Sequence, residues 1–404
     1  YNTVINIFKK SNEWLINNMN EEGKFMYYYN PTLDDNIDHE HPTRKPPNLY
    51  YNDLRHAGGV ISLLRMYELT KDIKYIEASK KAIKWTVGIT KFHQDKEGKE
   101  AAYVFCNQKA KLGGVGIPLI MLMRYRNLTK DTTYDRYIEA YSRHILSRIT
   151  EDGEFLGYYI HPLYHKGEPL ENLSAQEKKE MFSFYYPGEV LMGLAMVANR
   201  YDGNNELVKE IIHKTKPAMR WIIDKRPEIY KELFTALPSD AWLMQAIEEW
   251  SNIDGFIEKN DIDFVFNDAK TMMQKMYKRD DTPYIDFEGG MYYEYGDHYY
   301  PDGARCEGLV AAYYLAKKLD MNELADEILA SLKKAAKCQF QLYISEFNNF
   351  IHRNPKKSEN SIRFKTVRQW VRVDSVQHVA CFFIRLYWAE NKSENANIIG
   401  MKGN

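Results

Sequence analysis

Cysteine is scarce in this chain: four in 404 residues (Cys106, Cys306, Cys338, Cys381), with no C-x-x-C and no metal-type spacing. That argues against a disulfide framework and a thiolate metal centre, and the four read as free, mostly buried thiols. An excess of one charge is also missing. Fifty-five Lys and Arg face 56 Asp and Glu, a formal net charge of −1, so nothing marks a surface for nucleic acid or an anionic membrane. No apolar run approaches the roughly eighteen residues that a membrane span requires. No Gly/Ser linker or shift in composition divides the chain, which reads as one domain over residues 1–404. The sequence opens on Tyr1, and compartment is not read from it.

Aromatic residues are abundant: 31 Tyr, 18 Phe and 7 Trp. Some of them fall in a repeated phrase. "NEEGKFMYYYNP" occupies 20–31, "TEDGEFLGYYIHP" 150–162 and, more loosely, "FEGGMYYEYGDHYYP" 287–301. Gly23 and Gly153 are 130 residues apart, and Gly153 and Gly289 are 136 apart. Near-constant spacing of this kind is the mark of a repeat architecture.

Apolar periodicity between these phrases predicts helix after helix. Two kinds alternate. One is charged along a face, as with Lys80, Lys81 and Lys84 or Lys333, Lys334 and Lys337, and suits a half-exposed helix. The other, such as "GIPLIMLMRYRNL" at 116–128, is apolar nearly all round its first three turns and suits a helix buried on every side. Six of each, in turn, predict an all-α (α/α)6 toroid of six helical hairpins. Strand is expected only in short β-hairpins at the mouth, drawn from the Gly-Phe-Tyr-Tyr segments. The long stretches 30–47 and 158–180 are expected to be functional loops.

The inner helices open with "NDLRHAGG" (52–59), "AKLGGVG" (110–116), "FYYPGE" (184–189), "PSDAW" (238–242), "DGARCEG" (302–308) and "VRVDSVQHV" (371–379). In a toroid these starts share one face, so the groups they carry should converge. Part of the pattern is ordinary helix chemistry. Asp53, Ser239 and Asp302 suit N-caps, and Glu189 and Asp240 lie where the helix dipole favours an anion. Cations there (Arg55, His56, Lys111, Arg305) run against the dipole. Gly58, Gly59, Gly113, Gly114 and Gly308 each cost about 0.8–1.0 kcal/mol relative to Ala inside a helix. Close helix packing accounts for some of these glycines, with Gly59 and Gly114 favoured. Rule-breaking at matching places in several repeats points to a site.

This alternation, with aromatics and acids at the inner starts, resembles the six-hairpin glycosidase superfamily. Its relatives include toroidal uronide hydrolases, polysaccharide lyases and sugar epimerases. The resemblance is architectural and carries over no catalytic residue. It implies a glycan-active enzyme, without metal or cofactor, whose partner is a small-molecule or oligosaccharide substrate.

Three chemistries compete. A hydrolase needs two carboxyl groups about one glycosidic bond. Glu189 and Asp240 are the first pair, with Asp240 as acid and Glu189 as base or the reverse, and Glu307 and Asp374 are the reserve. Trp242, Tyr185, Tyr186 and the rim tyrosines Tyr28, Tyr159 and Tyr293 would stack on sugar rings. A lyase or uronate C5-epimerase would neutralise a carboxylate with Arg55, Lys111, Arg305 and Arg372, and abstract a proton with His56, His378 or Tyr186. A binding or peptide-modifying toroid is the third. The balance of signs also raises the expectation that one cation stays unpaired for an anionic substrate.

Overall fold

The computed structural model describes residues 2–233, 240–293 and 298–391. Among the described residues, twelve long helices alternate between an outer and an inner layer. The outer set is α1 (Asn2–Asn17), α3 (Lys74–Gly88), α5 (Asp135–Ser147), α7 (Asn205–Arg220), α9 (Lys259–Gln274) and α11 (Asn322–Gln339). The inner set is α2 (Asp53–Thr70), α4 (Gly113–Thr129), α6 (Tyr186–Arg200), α8 (Ala241–Trp250), α10 (Gly303–Lys318) and α12 (Val373–Glu390). Inner helices pack in the order α2, α4, α6, α8, α10, α12 and back to α2, so the ring closes. The architecture is the (α/α)6 toroid.

Burial follows the sequence pattern. In α4 every residue from Gly113 to Tyr125 is buried, whereas α3 leaves its lysines partly or fully exposed and buries Tyr75, Ile76, Ala82 and Ile83. The core therefore lies within and between the two layers, sealed by apolar side chains from all six hairpins.

The repeated phrase has a definite geometric role. Gly23, Gly153 and Gly289 take φ of +89°, +97° and +87°, the left-handed region that favours glycine. A Cβ on each would lie 2.3 Å from the Lys81 carbonyl oxygen, 3.0 Å from that of Pro217 and 2.2 Å from that of Lys334. Those carbonyls belong to α3, α7 and α11. Each phrase thus leaves one outer helix and turns directly against the next outer helix along the chain.

The aromatic part of each phrase then forms a short strand: β1 (Tyr28–Tyr29), β5 (Tyr158–Ile160) and β6 (Met291–Tyr293). β5 pairs with β4 (Ala110–Lys111), and β6 with β7 (His298–Tyr300). Two hairpins arise outside the repeats: β2–β3 (Thr90–Gln94, Glu100–Val104) and β8–β9 (Arg363–Lys365, Arg368–Arg372). In β8–β9 the apolar–polar alternation of residues 362–365 is a period-2 signal masked by the dominant helical one, whereas β2–β3 does not alternate and buries both Ala101 and Ala102. β1 pairs antiparallel with β9, Tyr28 opposite Arg372. That pairing ties the first unit to the last.

Candidate active site

The inner-helix starts enclose a cavity of about 440 Å³ to which all six inner helices contribute, together with the β8–β9 hairpin. Its walls hold Arg55, Tyr185, Tyr186, Glu189, Trp242, Arg305, Glu307, Arg372, Asp374 and His378. Ten residues singled out from sequence are thus brought together.

Glu189 lies in the first turn of α6 and is 6 % exposed. Its carboxyl makes no hydrogen bond or ion pair with any described residue, and Oε2 is fully buried. Space for it exists because Gly113 has no side chain: a Cβ there would lie 2.1 Å from Oε2. Burial above all, then the nearby Asp240 charge, push the Glu189 carboxyl up to about 8. At neutral pH it holds a proton.

The opposite condition prevails at the start of α12. Arg372 donates from Nε and Nη2 to the two Asp374 oxygens at 2.6 and 2.9 Å, and Arg55 Nε lies 3.3 Å from Oδ2. Burial raises the Asp374 carboxyl, but Arg55 and Arg372 overcome this and hold it well below the usual carboxylate range. Arg55 also donates to the Tyr27 hydroxyl, and Arg372 reaches Glu40 of the 30–52 loop at 3.3 Å.

Between these walls, His378 Nδ1 meets Glu307 Oε1 at 2.7 Å. Burial opposes the imidazolium, yet Glu307 outweighs it and raises His378 above its ordinary value. The Trp242 ring stands edge-on 6.5 Å from this imidazole. Asp302 caps α10 through the Arg305 amide at 3.0 Å and pairs with the Arg305 guanidinium at 2.5 Å.

Three expected site residues do not line the cavity. Asp240 is the N-cap of α8, accepting from the Leu243 amide at 3.1 Å and from Arg226 at 3.2 Å, and is wholly buried behind Glu189. A capping side chain folds back over its own helix, which turns this carboxylate away from the cavity. His56 faces α3, with Nε2 2.9 Å from the Ala82 carbonyl and Nδ1 2.6 Å from the Tyr51 hydroxyl. Burial lowers it to about 4, so it is a neutral core histidine. Lys111, 8 % exposed, ion-pairs with Asp53 at 3.1 Å beneath the wall.

The rim tyrosines differ as well. Tyr28 is buried against His39 and Trp370, and Tyr159 packs on His93 and His144. Ser239 and the Tyr293 side chain lie outside the described residues. The expectation of an unpaired cation also fails: Arg55, Lys111, Arg305, Arg372 and His378 each face a carboxylate.

Sequence reasoning missed Arg363, Phe364 and Gln377, which also line the cavity. The alternation in "SIRFKTVRQWVRV" is the signal that could have found the first two. Gln377 explains Gly58, where a Cβ would fall 2.2 Å from its Oε1. Gly59 is close packing against Val373 and Phe25, as expected, but Gly114 instead accommodates the Asp53 carboxylate at 2.6 Å. Among the described residues one group has metal-ligating types within reach of one another, Asp38, Glu40 and His41. Glu40 is engaged with Arg372, and the His41 ring is stacked 3.5 Å from that of Tyr50.

No protein-family model matches the chain, and no curated protein matches it in sequence. Solved structures do match its fold. A cellobiose 2-epimerase from Bacillus thermoamylovorans aligns with a TM-score of 0.61 at 12 % identity, over 95 % of this chain and 99 % of that one. An α-1,6-mannanase from Salegentibacter, in an inactive variant with two consecutive aspartates replaced and α-1,6-mannotriose bound, gives 0.56 at 13 %, over 95 % and 98 %. A D-mannose isomerase gives 0.57 at 11 %, over 95 % and 97 %. The (α/α)6 fold is common ground with these proteins.

Proposed function

We propose that this chain is a glycan-active enzyme that hydrolyses an acidic, uronate-type saccharide, with Glu189 as general acid. One observation carries the reading: the Glu189 carboxyl is buried in the cavity wall with no hydrogen-bond or ion-pair partner among the described residues, and burial pushes it up to about 8. A leaving glycosidic oxygen needs such a donor, and donors near the working pH are effective. Glu307, two inner helices along the ring and held by His378, is the base. Asp374, clamped by two guanidinium groups, keeps Arg55 and Arg372 in place.

An acidic substrate follows from the remaining charge. Four arginines line the cavity (Arg55, Arg305, Arg363, Arg372). Among the described residues the carboxylates about them are Asp302, Glu307 and Asp374 in the lining and Glu40, which reaches Arg372 from the 30–52 loop. With Glu189 holding its proton, the four arginines and His378 against these four carboxylates leave one positive charge. Trp242 and Tyr185, the latter 43 % exposed, offer faces for a sugar ring.

A second reading is proton abstraction beside a substrate carboxylate, as in a lyase or C5-epimerase. The His378–Glu307 contact favours it, because a carboxylate-oriented imidazole is a common base. The mannanase named above loses activity when two consecutive aspartates are replaced, and the consecutive aspartates of this chain (Asp34 and Asp35, Asp280 and Asp281) do not line the cavity. Incubation with acidic and neutral oligosaccharides separates the readings. New reducing ends from acidic substrates support hydrolysis. An ultraviolet-absorbing unsaturated product or solvent deuterium in the sugar transfers the assignment to the second reading. Equal turnover of neutral substrates rejects the acidic specificity.

A further inference from the structure

Beneath the cavity wall the start of α4 carries two consecutive glycines, and a different carboxyl group lies against each. Glu189 Oε2 sits over Gly113 and Asp53 Oδ2 over Gly114, at 2.1 and 2.6 Å from where a Cβ would be. The two carboxyls are therefore near neighbours, although they come from α6 and α2. A single ammonium group serves this place. Lys111, at the end of β4, directs its Nζ to Asp53 Oδ1 at 3.1 Å and makes no ion pair with Glu189. Lys111 and Asp53 are 8 % and 2 % exposed, so neither is diverted into solvent.

Two carboxyls and one cation in a dry space cannot all be satisfied as ions. One carboxyl takes the cation and ionises, and the other keeps its proton. Which does which is decided by where Lys111 points. We propose that Asp53 is a positioning residue: by holding the Lys111 ammonium in its own ion pair, it leaves Glu189 as the carboxyl that carries the transferable proton. This rests on the reading of Glu189 as an acid and adds the residue that makes it one.

The surroundings bear on Glu189 from every side. Asp240 at the start of α8 opposes its ionisation, Lys111 favours it, and Asp53 opposes it again. Tyr186 of its own helix adds a neutral phenol, raised well above its ordinary value by burial and by its neighbours Tyr158 and Glu189. Burial pulls Lys111 down, but Asp53 more than compensates and keeps it an ammonium. One substitution at Asp53 releases Lys111, whereas Asp240 is held by Arg226 and the Leu243 amide.

The test reads the proton directly and needs no substrate. In the full chain labelled at glutamate carboxyl carbons, the Glu189 signal is identified by its loss in Glu189→Gln and titrated. The midpoint is expected near 8 in the unsubstituted protein. Asp53→Asn should lower it by about one pH unit or more, at least a tenfold gain in the ratio of ionised to protonated Glu189, because Lys111 is released toward it. Adding Lys111→Met to Asp53→Asn should restore a high midpoint, and Asp53→Glu should preserve one. The alkaline limb of any pH–rate profile should follow the same order. An unmoved midpoint in Asp53→Asn overturns the proposal while leaving Glu189 its role. A midpoint in the ordinary glutamate range in the unsubstituted protein removes both. If Asp53→Asn does not fold, Lys111→Met alone decides: the midpoint must stay or rise, and a fall overturns the proposal.

Discussion

Two carboxyls occupy the first turns of two inner helices, face the same cavity and are almost equally buried, yet they exist in opposite states. Glu189 on α6 is 6 % exposed, has no partner among the described residues and is pushed up to about 8; Asp374 on α12 is 8 % exposed, carries two guanidinium partners and is held well below the usual carboxylate range. Burial pushes both the same way. The difference lies in the neighbours. Around Asp374 the β9 strand delivers Arg372 and α2 delivers Arg55. Around Glu189 the strongest charge effect comes from another carboxylate, Asp240, and the lysine that acts on it, Lys111, is committed to Asp53. One wall of the cavity is built to hold charge and the other to hold a proton.

The comparison breaks most visibly at Glu189. Glu189→Gln copies the protonated shape but cannot release a proton, so activity should fall by about 10²–10⁴-fold. Stability should not fall with it. A carboxyl raised to about 8 gives stability that is fully present below its unfolded value and is lost as pH rises toward 8. The glutamine variant escapes that loss. Melting curves should coincide near pH 4 and show the variant more stable at pH 8. A variant less stable at both would make Glu189 a structural residue.

Asp374→Asn is expected to do the reverse. Removing one partner of a buried ion pair typically costs about 3–5 kcal/mol, because the remaining charge is left uncompensated. Asp374 is held low, so its contribution is present above the ordinary aspartate value and disappears as pH falls through its folded value. Chemical denaturation should show a large deficit at pH 7 that shrinks in acid. A deficit independent of pH would mean that shape, not charge, holds this wall.

How far these walls can be read from sequence depends on the angle of each side chain about its helix. The toroid itself was legible, because segments apolar nearly all round their first three turns, such as α4, alternate with half-exposed ones six times over. The helix starts were legible too. Which way a residue faces was not. Arg55 and His56 are neighbours, but one residue turns an α-helix by about 100°, and this sends the first to the cavity and the second under α3. Asp240 looked like a site acid because it begins an inner helix, and for that same reason it caps the helix. The β8–β9 arginine was hidden because hairpin alternation is brief beside eighteen-residue helices.

A smaller effect sharpens the comparison from the ligand's side. Arg305 is paired with Asp302, which also caps α10 through its backbone bond. Arg305→Ala leaves that cap in place, so the fold should persist. A charge-assisted hydrogen bond to an acidic ligand is worth about 1.5–3 kcal/mol, so affinity for acidic saccharides should fall roughly ten- to a hundredfold. Added salt should weaken binding of the unsubstituted protein in the same direction. Calorimetry showing unchanged affinity would place the anionic group elsewhere in the cavity.

The smallest expected effect isolates the Glu189 wall without touching an ionisable group. In an exposed helix Gly→Ala usually stabilises, by about 0.5–1 kcal/mol, because alanine loses less backbone entropy. At Gly113 the sign should invert. The new methyl would lie 2.1 Å from Glu189 Oε2, 2.6 Å from the Tyr186 ring and 2.8 Å from Leu54, and overpacking of this kind costs about 1–3 kcal/mol. Of the three, the Glu189 carboxyl is the group that can yield, since no hydrogen bond holds it. It would swing into the cavity, become better solvated and lose the burial that keeps its proton. Gly113→Ala should therefore lower the Glu189 midpoint and the activity together, at a stability cost toward the lower end of that range. Gly98→Ala supplies the control for added bulk, since a Cβ there meets nothing within 4 Å, although its φ of +74° brings some strain of its own. If Gly113→Ala leaves the midpoint near 8, the glycine serves helix packing, and the protonated state of Glu189 owes nothing to the space it provides.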